Sequence, residues 1–496
     1  MPYVHGVKTS EVPTALLPPV QSSAGIPFVV GMAPVNMTDP NNVNKPVLCS
    51  SYAEAVANFG YAAPVDDSVS GKKKHEFTIS EFIQSQFALF QSAPVVIVNV
   101  LNPETHYKAA TSNKVKFDAQ TATVTVEEKG IILSSIKLGP SGSQDGIDSG
   151  KFTASFDAEG NLVLAANKNE EQEYYYTLDT DINFAANKLD PSAVTDADII
   201  GGITVAGVRT GFELVEEVFP RFRVVPGTLV CPWRSQSASI AAVMAAKATK
   251  INEVFSAGAA LIDAPTTGDQ AVYSGVAAWK NTNNVMNKKQ VVCWPRLNND
   301  GVIVAMSTQL AGLIQQVDGN NDDVPYVSPS NNNFVCTGTC LENGTEVFLT
   351  QGEAANLNGN GVVTALNFIG GWKCWGNRTA IYPANTDPKD SFIPIERMFA
   401  WIGNTLVQNF WSRVDYPITR RQVDTVLDSV NIWLNGLAAR QYILGGRVEF
   451  LEAETPQTDL MDGVLRFHLC VTPPGPNREI DFILEYDPEY LSTLFA

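Results

Sequence analysis

Between residues 201 and 388 two kinds of apolar run alternate, and this rhythm constrains the fold more than any other feature of the 496-residue chain. Phe222–Cys231, Ala259–Ile262 and Gln290–Trp294 are short and apolar, as strands buried on both faces are. Ser237–Phe255, Gln270–Lys280 and Val302–Gln316 carry helical spacing between and after them. Such alternation predicts a mainly parallel sheet covered by helices. A further strand–helix–strand run follows the polar loop Asn320–Asn333 and extends through Phe368. Ahead of this block, residues 23–103 read as a small α/β unit. Its expected elements are a strand at Ile26–Gly31, a helix at Ser51–Phe59 capped by Ser50 or Ser51, a helix at Ile79–Gln91 and a strand at Pro94–Val100.

Residues 104–204 interrupt the pattern. From 104 to 200 there are 8 Lys against 16 Asp plus Glu, giving −8 of the chain's net −18. Strand signals stand at Ala122–Val126, Ile131–Leu138, Lys151–Phe156, Leu162–Leu164 and Tyr174–Leu178, with Gly160-Asn161 as a hairpin signal. The stretch reads as an inserted β-rich outer domain with charge guarding its edges. The expected architecture is thus multidomain, α/β and α+β. Residues 1–22 form an extended arm, 23–103 and 205–388 an α/β core, 104–204 the insert, 389–479 a C-terminal domain and 480–496 a terminal strand.

The C-terminal domain is expected to hold helices at Ile395–Trp411 and Arg420–Arg440, then strands at Arg447–Leu451 and Val464–Val471. Beyond it, Ile480, Phe482 and Leu484 alternate with Asp481, Ile483 and Glu485, and from Glu479 on there are five acidic and no basic residues. An isolated strand is unstable because its backbone groups and apolar face need a neighbour. Either this strand pairs within the chain or it adds to a sheet edge of another copy. The start of the chain invites the same question. Pro2, Pro13, Pro18 and Pro19 among Val4, Val7 and Val12 make it extended rather than helical.

Chemistry-bearing motifs are missing. The four histidines share no motif spacing, and Cys336 and Cys340 lack the further ligands of a zinc site. Ser70-Gly71-Lys72-Lys73 lacks the earlier glycine and the hydroxyl residue of a phosphate loop, and Gly139–Ser143 is not a nucleophile elbow. No catalytic, cofactor-binding or metal-ligating residue is assigned, and no cofactor is expected. Net charge −18 lacks the basic footprint of a duplex DNA binder. The opening residues show no secretory signal and no apolar run approaches the ~20 residues of a bilayer span, so folding in the cytoplasm is expected, without stable membrane insertion. Seven scattered cysteines suit a reducing compartment.

The chain resembles the contractile tail sheath family of bacteriophages and related injection machines. The residues that carry the resemblance are Gly6-Val7 through Glu11, Val29–Ala33, Pro46–Leu48, Phe59-Gly60, Ser328–Asn331, Leu357-Asn358, Gly371–Thr379 and Pro473–Ile480. It covers about residues 1–103 and 205–496 and omits the insert. It implies a structural, non-enzymatic subunit of a helical sheath in a virion tail or tail-like particle, assembled in the bacterial host cytoplasm. The implied partners are further copies of the chain, a tail tube protein, and baseplate and tail terminator proteins. Contraction would drive the tube through a bacterial envelope for genome delivery. Val4, Val7, Val12, Ile480, Phe482 and Leu484 are then candidates for intersubunit strand exchange. Arg413, Arg420, Arg421 and Arg440 either face the tube or are solvated helix ends balanced by Asp415, Asp424 and Asp428. The competing reading is a cytosolic α/β enzyme with a small-molecule site at the strand C-termini of residues 220–320.

Overall fold

A computed structural model describes residues 22–109, 113–140 and 144–495. The chain is mixed α/β. Its centre is an eight-stranded sheet. From edge to edge the strands are Val47–Cys49, Val95–Asn99, Pro27–Gly31, Thr228–Val230, Ala259–Asp263, Gln290–Cys293, Val362–Asn367 and Trp372–Trp375. The six inner strands pair in parallel and the two edge strands antiparallel.

Successive residues of a strand point to opposite faces, and the inner strands are apolar on both. Phe28, Val30, Val96, Val98, Ala260, Ile262 and Val292 enter one core, with the helices Ala238–Thr249 and Tyr273–Thr282. Val29, Val95, Ile97, Leu261 and Val291 enter the other, with Thr78–Ile83 and Met306–Gly319. Capping residues set several helix starts. Ser51 accepts the amide of Glu54 ahead of Tyr52–Phe59, and Thr350 and Glu353 form a reciprocal capping box ahead of Gln351–Gly359.

Between the third and fourth strands of the chain order, residues 113–186 build separate antiparallel sheets with a core of their own, including Phe117, Phe152, Leu164 and Phe184. The hairpin at Gly160-Asn161 forms, joining Phe152–Phe156 to Leu162–Ala166, with Gly160 at φ +84°. Lys129 ties the loop down by donating to Glu159 O (2.7 Å) and Asn161 Oδ1 (2.6 Å). Leu189, Val194 and Ile199, later in the stretch, already belong to the central core.

The last domain hangs on one helix, Ile393–Phe410. Its N-terminal half is buried against the central sheet. Met398, Trp401 and Ile402 also enter a second cluster with Val430, Trp433, Leu434 and Leu437 of the helix Arg420–Ala439. The Trp401 and Trp433 rings lie 5.8 Å apart. The two-stranded sheet Gly445–Glu449 and His468–Thr472 packs on that cluster. Where the helix meets the core, Arg397 grips Asp318 with both terminal nitrogens, and both side chains are 1% exposed. Beside it, Lys289 pairs with Glu396 at 2.8 Å, also buried.

Several elements differ from expectation. Val302–Gln316 is not one helix. Val302–Val304 is a strand paired with Arg296–Asn299, and the helix begins at Met306. Phe222–Cys231 is a strand only at Thr228–Val230, because Val218–Phe222 is helical and Arg223 turns the chain in the left-handed region (φ +59°). Ile131–Leu138 is broken by a 3-10 turn at Leu133–Ser135, and Tyr174–Leu178 makes only an isolated bridge from Tyr174 to Lys168. Ile480–Glu485 forms no strand within its own chain.

The Arg397–Asp318 pair generates a stability prediction. Arg397→Met alone leaves Asp318 buried without its counter-charge, and is expected to lower stability by about 3–5 kcal/mol. Adding Asp318→Leu is expected to restore most of that loss. Thermal and chemical unfolding of the single and double variants check both expectations.

Candidate functional site

The C-terminal tail starts where the strand His468–Thr472 ends. Pro473, Pro474 and Pro476 remove three amides, so no ladder can continue through them. From Pro473 to Asp487 the backbone has no helix, strand or turn, and among the described residues it makes no backbone hydrogen bond. Ile480, Phe482 and Leu484 are 70, 81 and 94% exposed. Burying such a side chain typically contributes about 1.5–3 kcal/mol, so the single chain leaves a sizeable driving force unused. The acidic residues interleaved with them keep the segment soluble while it is unpaired. Val4, Val7 and Val12 lie outside the described residues.

The chain enters the described region at Ser22, against the same helix that carries the last domain. Trp401 Nε1 donates to Ser22 O (2.6 Å), Gln408 Nε2 donates to its hydroxyl (2.9 Å), and its amide donates to Thr405 Oγ1 (3.3 Å). No local pattern signals this clasp, because its partners are nearly 400 residues apart.

The four arginines do not form one patch. Arg413 lies in the exposed connection between the two long helices, and its carbonyl accepts from Gln422 in the first turn of the second. Arg420 and Arg421 share that end, and Arg420 pairs with Asp424 at 2.9 Å. Arg440 stands just past the far end of the 20-residue helix, about 30 Å away at 1.5 Å per residue. Around the three clustered arginines Trp411, Val414, Tyr416 and Ile418 are exposed, so this end combines positive charge with apolar surface. Asp415 lies in the same connection and Asp428 two turns along the helix, both exposed.

At the C-terminal ends of the parallel strands, where an α/β enzyme holds its ligand, polar side chains are spent on one another. Asp263 ends its strand and pairs with Arg296 at 3.3 Å, the two side chains 0 and 1% exposed. Ser307 donates to Asp263 through both its amide and its hydroxyl. Glu81 accepts from Trp233 Nε1 (2.6 Å), Thr308 Oγ1 (2.8 Å) and the Ala305 amide (3.0 Å). The guanidinium of Arg296 lies over Trp233, 4.6 Å from the ring centroid. These groups are spent mainly on one another, with Arg296 Nε left buried and unpartnered, and Glu81 also lines a small cavity with Gln84, Ser85 and Gln309. Among the described residues no cluster of three or more His, Cys, Asp and Glu could hold a metal ion. Burial pushes the Cys336 and Cys340 thiols up to about 12 and about 11, which keeps them protonated. No helix of the described residues is long and apolar enough to cross a membrane.

Gly371–Thr379 also resolves into packing. Trp372–Trp375 is the last strand of the central sheet. Arg378 then stacks between Phe392 (3.7 Å) and Tyr382 (4.4 Å), and Thr379 bonds Ser391 and Asp390, just ahead of the helix Ile393–Phe410.

No sequence-family model matches the chain. It is 27% identical to the tail sheath protein of Burkholderia phage BcepMu over 527 aligned positions, which cover 99% of this chain and 98% of that protein. Among solved structures, it is similar to the sheath of an extracellular contractile injection system in the contracted state, with a TM-score of 0.58 at 13% identity over 99% of both chains. It is also similar to the contracted helical sheath of the anti-feeding prophage, with a TM-score of 0.57 at 14% identity, over 98% of this chain and 100% of that one. At these identities the structural likenesses establish the fold. The resemblance to contractile tail sheath proteins therefore runs along the whole chain, and the enzyme reading finds no support.

The buried network has a pH signature. Desolvation is the largest influence on Glu81 and raises its pKa from 4.5 to about 7, against the pull of its three donors, with Asp263 adding to the rise. The folded state therefore holds this proton more tightly than the unfolded chain. The stabilisation is full below pH 4.5 and is lost as pH rises through about 7. Between pH 5 and 8 the melting temperature of the native chain is expected to fall further than that of Glu81→Gln, measured by thermal unfolding in matched buffers.

Proposed function

We propose that the chain is the structural subunit of a contractile tail sheath. Copies polymerise helically around a tail tube, and contraction of the sheath drives that tube through a bacterial envelope for genome delivery. One observation carries the reading furthest. Ile480–Glu485 is extended, apolar on alternate residues and unpaired in its own chain, within a fold whose full-length relative is a tail sheath protein.

Such a segment reaches a stable state by completing a sheet elsewhere. The two-stranded sheet of Gly445–Glu449 and His468–Thr472 is the acceptor we assign, since it is too small to be stable by ladder bonds alone and ends directly before the tail. A strand given at one site and received at another is a heterologous contact. Such contacts generate rings or helices without needing a second protein. Residues 1–22 are proposed as a second linking arm through Val4, Val7 and Val12, leaving the body at the Ser22 clasp. Residues 104–204 are then the outer domain and 389–479 the inner domain. Arg413, Arg420 and Arg421 are proposed to face the tube protein, with Arg440 belonging to a separate surface. Baseplate and tail terminator proteins would close the two ends of the tube and sheath, in the virion tail.

Two experiments test this reading. Among the described residues, deleting 480–496 removes only exposed ones. The truncated chain is expected to keep its circular dichroism spectrum and melting temperature while forming no tubes by electron microscopy. Normal tubes from it would overturn strand donation. Combined Arg413→Glu, Arg420→Glu and Arg421→Glu is expected to leave sheath-like polymers intact but to abolish co-assembly with the tube protein, read by co-sedimentation. Unchanged co-sedimentation would remove these residues from the tube face.

A further inference from the structure

The two outer edges of the small acceptor sheet are not equivalent. In an antiparallel ladder a residue's N–H and C=O point to the same side. Val448 is paired in register with Leu469, yet its N–H donates to the side chain of Asn431 (3.0 Å), and its C=O accepts a longer bond from Asn431 Nδ2 (3.5 Å). Its backbone therefore points away from the partner strand, and one side-chain amide occupies both of its positions. An amide presents an acceptor and a donor side by side, as a neighbouring strand does. Leu469 and Val471 point outward on the opposite edge by the same register, and among the described residues no side chain bonds their backbone. Asn431 belongs to the helix Arg420–Ala439, whose Val430, Trp433 and Leu434 pack under the sheet, so the amide is held in place by the core.

An open strand edge invites indiscriminate pairing, and proteins guard such edges. We propose that Asn431 is an edge guard. In the free subunit it satisfies Val448 and blocks the Gly445–Glu449 edge at that residue. A strand from another copy therefore adds to the His468–Thr472 edge, and the second edge becomes an acceptor only when Asn431 releases Val448. The occupant is the Ile480–Glu485 segment of a second copy, whose unpaired backbone and alternate apolar side chains match an open edge. This inference rests on the sheath reading above.

The test uses the full-length chain, its Asn431→Ala variant and its Asn431→Asp variant, which keeps the acceptor for the Val448 amide and loses the donor. In unassembled subunits, hydrogen exchange is expected to be slow at the Val448 amide and fast at Leu469 and Val471. Asn431→Ala is expected to accelerate Val448 exchange at least tenfold and to shorten the lag before tubes appear severalfold, with Asn431→Asp between the two. Native lag and native Val448 exchange in Asn431→Ala would overturn the guard. So would equally fast exchange at Val448 and Leu469 in the native chain, a result that holds even if a variant folds poorly. Tubes forming with a native lag in Asn431→Ala, but not in the 480–496 deletion, would reject the guard and leave strand donation standing. Tubes forming from the deletion would reject both.

Discussion

The buried grip of Arg397 on Asp318 is the constraint on which the rest of the arrangement depends. Two opposite charges have been taken out of water, and each is tolerable there only because the other is present. Arg397 lies on the helix that carries the last domain, and Asp318 closes the helix packed on the central sheet. Met398, Trp401 and Ile402 pack this helix into the cluster around Trp433, and the buried ion pair adds a directional contact to that packing. A two-pronged guanidinium–carboxylate contact admits one register. The same helix holds Ser22, where the described residues begin, through Trp401, Thr405 and Gln408, so its position is set by that register too.

From this follows a division of labour along the chain. The eight-stranded sheet buries apolar clusters on both faces, and the polar side chains at its strand ends pair mainly with one another, which suits a rigid body. The stretch 113–186 has its own core and adds surface without entering the sheet. The unsatisfied features gather in the last domain. These are an aromatic and arginine-bearing connection, a two-stranded sheet with one edge bonded by Asn431, and the exposed residues Ile480, Phe482 and Leu484.

Much of the body was legible in the sequence because its signals are local. Val95–Asn99 and Ala259–Asp263 are short apolar runs, and the cap Ser51 stands directly before its helix. Misreadings arose where tertiary contacts overrode a local period. Val302–Val304 joins a sheet because Arg296–Asn299 lies beside it, although its apolar residues continue the helical spacing of Leu310, Leu313 and Val317. Ile480–Glu485 has the pattern of a strand but lacks a neighbour within reach in its own chain, so pattern alone could not say whether it pairs inside or outside the subunit. Among the candidate site residues, the clustering of Arg413, Arg420 and Arg421 apart from Arg440 follows from helix length. The bond from Asn431 to Val448 spans two elements and leaves no trace in either one's periodicity.

Whether the subunit completes its small sheet with a strand from another copy is decided by cryo-electron microscopy of the polymer formed by the full-length chain. Strand donation places Ile480–Glu485 of one copy in hydrogen-bonding register along the outer edge of His468–Thr472 in another. Density showing the segment folded onto its own subunit, or unpaired between subunits of an intact polymer, would contradict it.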